Sequence, residues 1–226
     1  MRSRRPLLLV LAAALPALAI LLGLGWWQVQ RLEWKTAMIA AITASEAGPA
    51  VPLGPTPPAF TKVLVEGVFR HDLEALLGLE VRGTVLGAEL LVPLERPGLP
   101  TLLVDRGWVP MERGTATIDH PQGVVAVTGF IHPGDRPGIF APRDDTAGRR
   151  FYTFDPPAIG AALGLPDVAP FALVAIGPAT GRLPDPAHSL PRPANNHLGY
   201  VITWWGLAVA LLGVLAAVAL RRRPAP

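Results

Sequence analysis

His197 and Trp204, seven residues apart at the head of a charge-free run, are the first residues in this chain whose types and spacing could do chemistry. On a helix of 3.6 residues per turn, His197, then Tyr200 or Val201, then Trp204 share one face, with the indole about 10 Å along the axis from the imidazole. A ligating imidazole and a flat indole would then share a side. The competing reading is an interfacial histidine beside a tryptophan belt that anchors a membrane helix.

Asp105-Arg106-Gly107-Trp108-Val109 is the second candidate. An Asp-Arg pair inside an otherwise apolar strand is costly to bury unless the charges find partners, and Gly107 marks a bulge or a close approach. Trp108 is the tryptophan remote from the apolar segments. It reads either as a plug of the β core or, with Asp105 and Arg106, as part of an interaction surface, since Arg and Trp dominate interface hot spots. His132, Asp135 and Arg136, in a later turn, are placed to approach it.

Other chemistries find little support. Ser3, Ser45 and Ser189 are the only serines, and none lies in a Gly-x-Ser-x-Gly turn, which argues against a serine nucleophile. There is no cysteine, so thiolate metal sites and disulfides are excluded. The five histidines lack paired ligand spacing, so a zinc site has to be assembled from distant loops. Asp144-Asp145 reads as a polar turn rather than a catalytic carboxylate pair. No catalytic residue emerges, and the chain does not read as an enzyme.

The elements that position these residues begin with the apolar run 198–220, closed by Arg221, Arg222 and Arg223. At 1.5 Å per residue it spans the roughly 30 Å hydrocarbon layer. Pro6 to Trp27 is a second apolar segment, preceded by Arg2, Arg4 and Arg5 and ending in Trp26 and Trp27. It also resembles a secretory or twin-arginine signal, but the apolar core runs past the Ala-Leu-Ala site and favours a retained anchor. The basic flanks place both termini in the cytoplasm and the central part across a bacterial inner membrane, in the periplasm. With 50% hydrophobic and 16% charged residues, the composition fits two spans averaged with one domain. The net charge of +3 owes much to the membrane flanks and speaks for lipid contact and topology, not for nucleic-acid binding.

Residues 1–45 are therefore expected to form a transmembrane helix with a juxtamembrane extension, 46–182 an extracytoplasmic β domain, 183–197 a proline-rich tether, 198–220 the second transmembrane helix and 221–226 a cytoplasmic basic tail. Apolar runs between Gly and Pro connectors predict strands at 62–69, 84–94, 101–109, 124–131, 149–154 and 171–176, and one short helix at 157–163. The expected fold class is membrane α+β: two terminal transmembrane helices flanking one antiparallel β-barrel or sandwich-like domain.

GWWQVQRLEWK (25–35), VEGVF (65–69), LLVDRGWVP (102–110), VTGFI with DRPGIFAP, and NNHLGYVITWW (195–205) appear in order across almost the whole chain. In these motifs the sequence resembles the Surfeit-locus (Shy-like) family of cytochrome c oxidase assembly proteins. The resemblance implies an assembly chaperone of the respiratory chain that binds haem A transiently and helps deliver it to the oxidase catalytic subunit. The oxidase subunit and the haem A synthesis machinery are then the expected partners, and His197, in the NHL motif, the expected ligand of the haem iron. A haem-independent scaffold, docking oxidase subunits through the β domain, is the alternative. If the two spans lie antiparallel, Trp27, Tyr200 and Trp204 can line the macrocycle, while Arg31, Lys35 or Arg192 meet its propionates. Asn195, Asn196 or a backbone carbonyl is then expected to orient the imidazole.

Overall fold

The longest element follows from the absence of a helix stop before Gly48-Pro49: α1 runs from Arg5 to Ala47 with Pro16 inside it. The computed structural model describes residues 5–112, 114 and 116–221, with side chains from Ala12 onward. Arg2, Arg4, Arg222 and Arg223, on which the orientation argument partly rests, and the tail beyond Arg221 lie outside the described residues.

The chain divides into two compact units, residues 1–41 with 192–226, and residues 42–191. The first contains the membrane-length part of α1 and, from the far end of the chain, the helix His197–Arg221. Both helices are long and apolar enough to cross a bilayer, and their apolar windows are mostly exposed, unlike the core helix of a water-soluble domain.

The second unit is a β domain. After the two-residue β1 (Val51–Pro52) come β2 (Lys62–Phe69), a 3₁₀ turn (His71–Leu73), β3 (Ala75–Arg82), β4 (Val85–Arg96), β5 (Leu99–Pro110), β6 (Val124–His132), β7 (Arg150–Phe151), the short helix α2 (Pro156–Ala162) and β8 (Val168–Ala175). The helix at His197–Arg221 is then α3. Strand order is β1-β2-β6-β8-β5-β4-β3-β7, and an extra β2–β4 pairing closes β2, β6, β8, β5 and β4 into a ring. Closure is possible because β4 is long: its first half pairs with β3, while Leu94 and Glu95 pair with β2. Irregularities at Glu89/Leu91 and Leu94/Arg96 bend it between those tasks. The ring is antiparallel except at β5–β8, which are parallel. A parallel partner requires a crossover, and α2 lies on that return path. Asp155 caps α2 by accepting from the Ala158 N–H, and Pro156 occupies a first-turn position.

Alternation along the strands builds two cores. Leu90, Val92, Leu94, Leu102 and Val104 face the ring interior with Val63, Val65 and Leu173. Leu91, Leu103 and Ala172 point outward and are covered by Ile159 and Leu163 around α2 and by Phe151 and Phe154. Leu183, Asp185 and Ala187, in the proline-rich stretch, make single bridges to Ile118, Trp108 and Ile176, so the start of that stretch is stitched onto the β domain. Asp144 and Asp145 accept from the Tyr152 and Gly148 N–H groups, the bonding of a polar turn.

Candidate functional site

In the two-helix unit, α1 presents Ala14, Leu18, Leu21, Gly25, Gln28, Leu32 and Lys35 as its more buried positions, an alternation of four and three. On α3 the corresponding set is His197, Val201, Trp204, Ala208, Leu211 and Leu215. This is the spacing of a helix seam, and it sorts the candidate residues by face.

His197 sits at the first position of α3. Its Nδ1 is 2.7 Å from the Oε1 of Gln28, which is buried at 7% exposure. A carboxamide oxygen can only accept, so Nδ1 carries the proton and Nε2 keeps its lone pair. A hydrogen bond of this kind fixes the tautomer and ring plane of a metal-ligating histidine. Asn195, one of the residues expected in that orienting role, instead donates through Nδ2 to Thr36 Oγ1 at 3.2 Å.

Trp204 lies on the same face, and its buried Nε1–H has no hydrogen-bond partner. A buried donor left unsatisfied costs about 1–3 kcal/mol, a deficit that an acceptor on a ligand would remove. Val201 is buried on the seam between His197 and Trp204, whereas Tyr200 points away and is 54% exposed. Gly25 lets the helices approach: a Cβ there would collide with the Trp205 indole.

Trp27 is one residue off the seam and exposed. Arg31, also exposed, lies over two indoles, with Cζ 5.8 Å from the Trp27 ring and 5.2 Å from the Trp34 ring. The structure therefore pairs His197 with Gln28, keeps Trp204 on the same face of α3, and places Tyr200, Trp27 and Arg31 on neighbouring faces. Lys35 is half-buried on the seam itself.

In the β domain, Asp105 and Trp108 are buried, and Trp108 belongs to neither of the two core clusters. The irregularity at Gly107, φ +117, rotates the strand so that Trp108 turns outward beside Gly87 while Val109 enters the ring. Trp108 Nε1 donates to the Glu80 carbonyl at 3.2 Å, and Arg82 covers its ring at 5.3 Å. Arg82 also bonds to Glu80 at 2.9 Å and Asp185 at 2.7 Å. Asp105 Oδ1 accepts from the Gly107 N–H at 2.9 Å.

Glu89, which pairs with Trp108 across the strands, shares this patch; burial first, then the charge of Asp105, pushes its carboxyl up to about 9. Burial likewise lifts Asp105 to about 6. Arg106 turns to the other side of the strand, donates to the Asp119 carbonyl at 2.7 Å and lies 4.9 Å over Phe69. These side chains hold β3, β4, β5 and the 183–187 stretch together. His132 does not join them: it stacks on Phe154 at 4.9 Å, accepts from the Gly134 N–H and faces Asp135 at 4.0 Å.

Gln28, beside His197, and Glu89, beside Trp108, are the residues at these two places that the sequence did not reveal. The signal for Gln28 is an uncharged polar residue that follows Ala14, Leu18, Leu21 and Gly25 in the four-three pattern at the end of the first span.

Comparison with known proteins gives matches over most of the chain. A SURF1-like protein of Rickettsia conorii is 28% identical over 216 residues, covering 90% of this chain and 88% of its own. The human Surfeit locus protein 1 is 28% identical over 216 residues, covering 83% of this chain and 70% of its own. That of Xenopus tropicalis is 27% identical, with 83% and 68% covered. Residues 15–209, from the first apolar helix through the seam of the second, match the SURF1 family, and the chain belongs to it.

Proposed function

We propose that this protein is an assembly factor for haem-copper (cytochrome c) oxidase that binds haem A transiently at the seam of its two membrane helices and assists its delivery to the oxidase catalytic subunit. The observation that carries the reading is the His197–Gln28 hydrogen bond, which leaves Nε2 as the available ligand atom. The residues present suit the group. Nε2 of His197 would take the iron, the orphaned Trp204 Nε1–H would meet a polar substituent, and Arg31 and Lys35 supply positive charge for propionates. Haem bound there is cargo, held and released without turnover.

Membership of a family whose motifs span both helices and the β domain supports the reading over that of a simple anchor. The arrangement goes with both termini in the cytoplasm of a bacterial inner membrane, the β domain in the periplasm, and the haem A synthesis machinery and oxidase catalytic subunit as partners. Protein purified from a haem A-producing host is expected to carry a Soret band that His197→Ala removes. An unchanged spectrum in that variant sinks the proposal.

The second reading, a haem-independent scaffold, is favoured by one observation: Ile139 and Phe140, at the tip of the DRPGIFAP loop, are each 96% exposed. It predicts that Ile139→Ser with Phe140→Ser abolishes oxidase co-purification while His197→Ala leaves it intact.

A further inference from the structure

The 3₁₀ turn after β2 carries His71 and Glu74, and the loop before β6 brings the distant His120 to them. His71 Nδ1 lies 3.4 Å from Glu74 Oε1, and His120 Nε2 lies 2.7 Å from the same oxygen. The three ligand-type atoms lie within 4.8 Å of one another. The two imidazoles meet edge to face, 4.7 Å between centroids. We propose that His71, Glu74 and His120 form a binding site for a divalent transition-metal ion of the zinc class.

The tautomer of His71 carries the argument. Its Nε2 is 3.0 Å from the Pro121 carbonyl, which can only accept, so Nε2 holds the proton. Nδ1 then presents a lone pair, buried and without a hydrogen-bond partner, toward a carboxylate oxygen. A lone pair aimed at a carboxylate, with a second imidazole on the same oxygen, is a geometry that a cation can complete. A backbone carbonyl on the distal nitrogen is also the usual outer support of a ligating histidine.

Spacing and rigidity agree. A tetrahedral ion with bonds of about 2.0–2.1 Å sets neighbouring ligand atoms about 3.3–3.4 Å apart. The His71–Glu74 pair is at that separation, and the His120 side chain, 38% exposed, has room to swing into place. The turn bearing His71 and Glu74 is braced where Arg149 donates to the Asp72 carbonyl at 2.6 Å and Arg70 grips Asp72 at 2.7 Å. The loop bearing His120 is held by the Asp119 N–H bonded to the Leu183 carbonyl at 2.8 Å.

Two imidazoles and one carboxylate suit zinc or copper(II), whereas calcium and magnesium prefer all-oxygen sites. Three protein ligands leave a fourth position toward solvent at His120. Arg106 is near enough to feel the Glu74 charge, but its Nη1 is committed to the Asp119 carbonyl.

The test is equilibrium dialysis of full-length, tag-free protein in detergent against Zn²⁺, with Co²⁺ absorption as a geometric probe. One Zn²⁺ per chain and tetrahedral Co²⁺ bands are expected. His120→Gln, at an exposed position that leaves the fold intact, should weaken Zn²⁺ binding at least about tenfold, as should His71→Gln, while His188→Gln should not. Zn²⁺ should raise the melting temperature of the wild type and not of His120→Gln. Absence of saturable binding by the wild type, or binding that His120→Gln leaves unchanged, overturns the site.

Discussion

Gln28 accepts a 2.7 Å hydrogen bond from Nδ1 of His197, joining the two membrane-length helices at the level where the second one starts. The bond spans 169 positions of sequence and sets which imidazole nitrogen is available to a ligand. Losing an orienting partner of this kind lowers metal affinity about 10–100-fold. Gln28→Leu should therefore weaken haem A binding by that factor while Gln28→Glu, which keeps an acceptor, largely preserves it; optical titration of the detergent-solubilised protein checks both.

At Gly25 the packing leaves no room for a side chain. Any side chain there meets the Trp205 indole, so Gly25→Leu should prise the seam apart next to Gln28. The expected result is loss of the His197–Gln28 bond and of haem binding, with the melting transition of the β domain unchanged. The distance between spin labels attached to the two helices reports their separation directly.

The acidic patch under Trp108 makes stability depend on pH. The folded Glu89 carboxyl is raised from 4.5 to about 9, so between those values the native state holds a proton that the unfolded chain has released. Its stabilising protonation is complete below pH 4.5 and is lost as pH climbs toward 9. Asp105, raised from 3.8 to about 6, acts in the same direction over a lower window. Glu89→Gln should flatten this decline and stabilise the protein by about 1–2 kcal/mol at pH 8 relative to pH 5, measured by thermal melts across that range.

Gly107 gives the β domain its most demanding backbone position. At φ +117, and with a Cβ there colliding with the Asp185 carbonyl, alanine suffers both backbone strain and a steric clash. Gly107→Ala should cost at least about 1–3 kcal/mol and detach the 183–187 stretch from β5, seen as faster amide exchange at Trp108 and Asp185.

The parts legible in the sequence are those written in local pattern. The strand Lys62–Phe69 is a short β-branched, apolar run bounded by turn residues and is found with those bounds, and both long apolar helices announce themselves by composition. β3 escapes such a reading because ALLGLEVR contains a glycine and little alternation; it forms because β4 offers an edge. The parallel β5–β8 pairing escapes it too, because register between distant strands has no local signature. At the seam, His197 and Trp204 are visible from their spacing, but Gln28 is not, since a hydrogen bond across 169 positions depends on how two helices pack. Trp108 reads as a plug in the sequence, and the turn at Gly107 reverses which side of the strand it faces.

The central claim is that the Nε2 of His197 holds the haem iron. Titration of purified wild-type protein and His197→Ala with haem A, followed at the Soret band, tests it most directly. Saturation at one haem per wild-type chain is expected, with a loss of affinity of more than about 100-fold in the variant. Equal affinity and an identical spectrum in His197→Ala would contradict it.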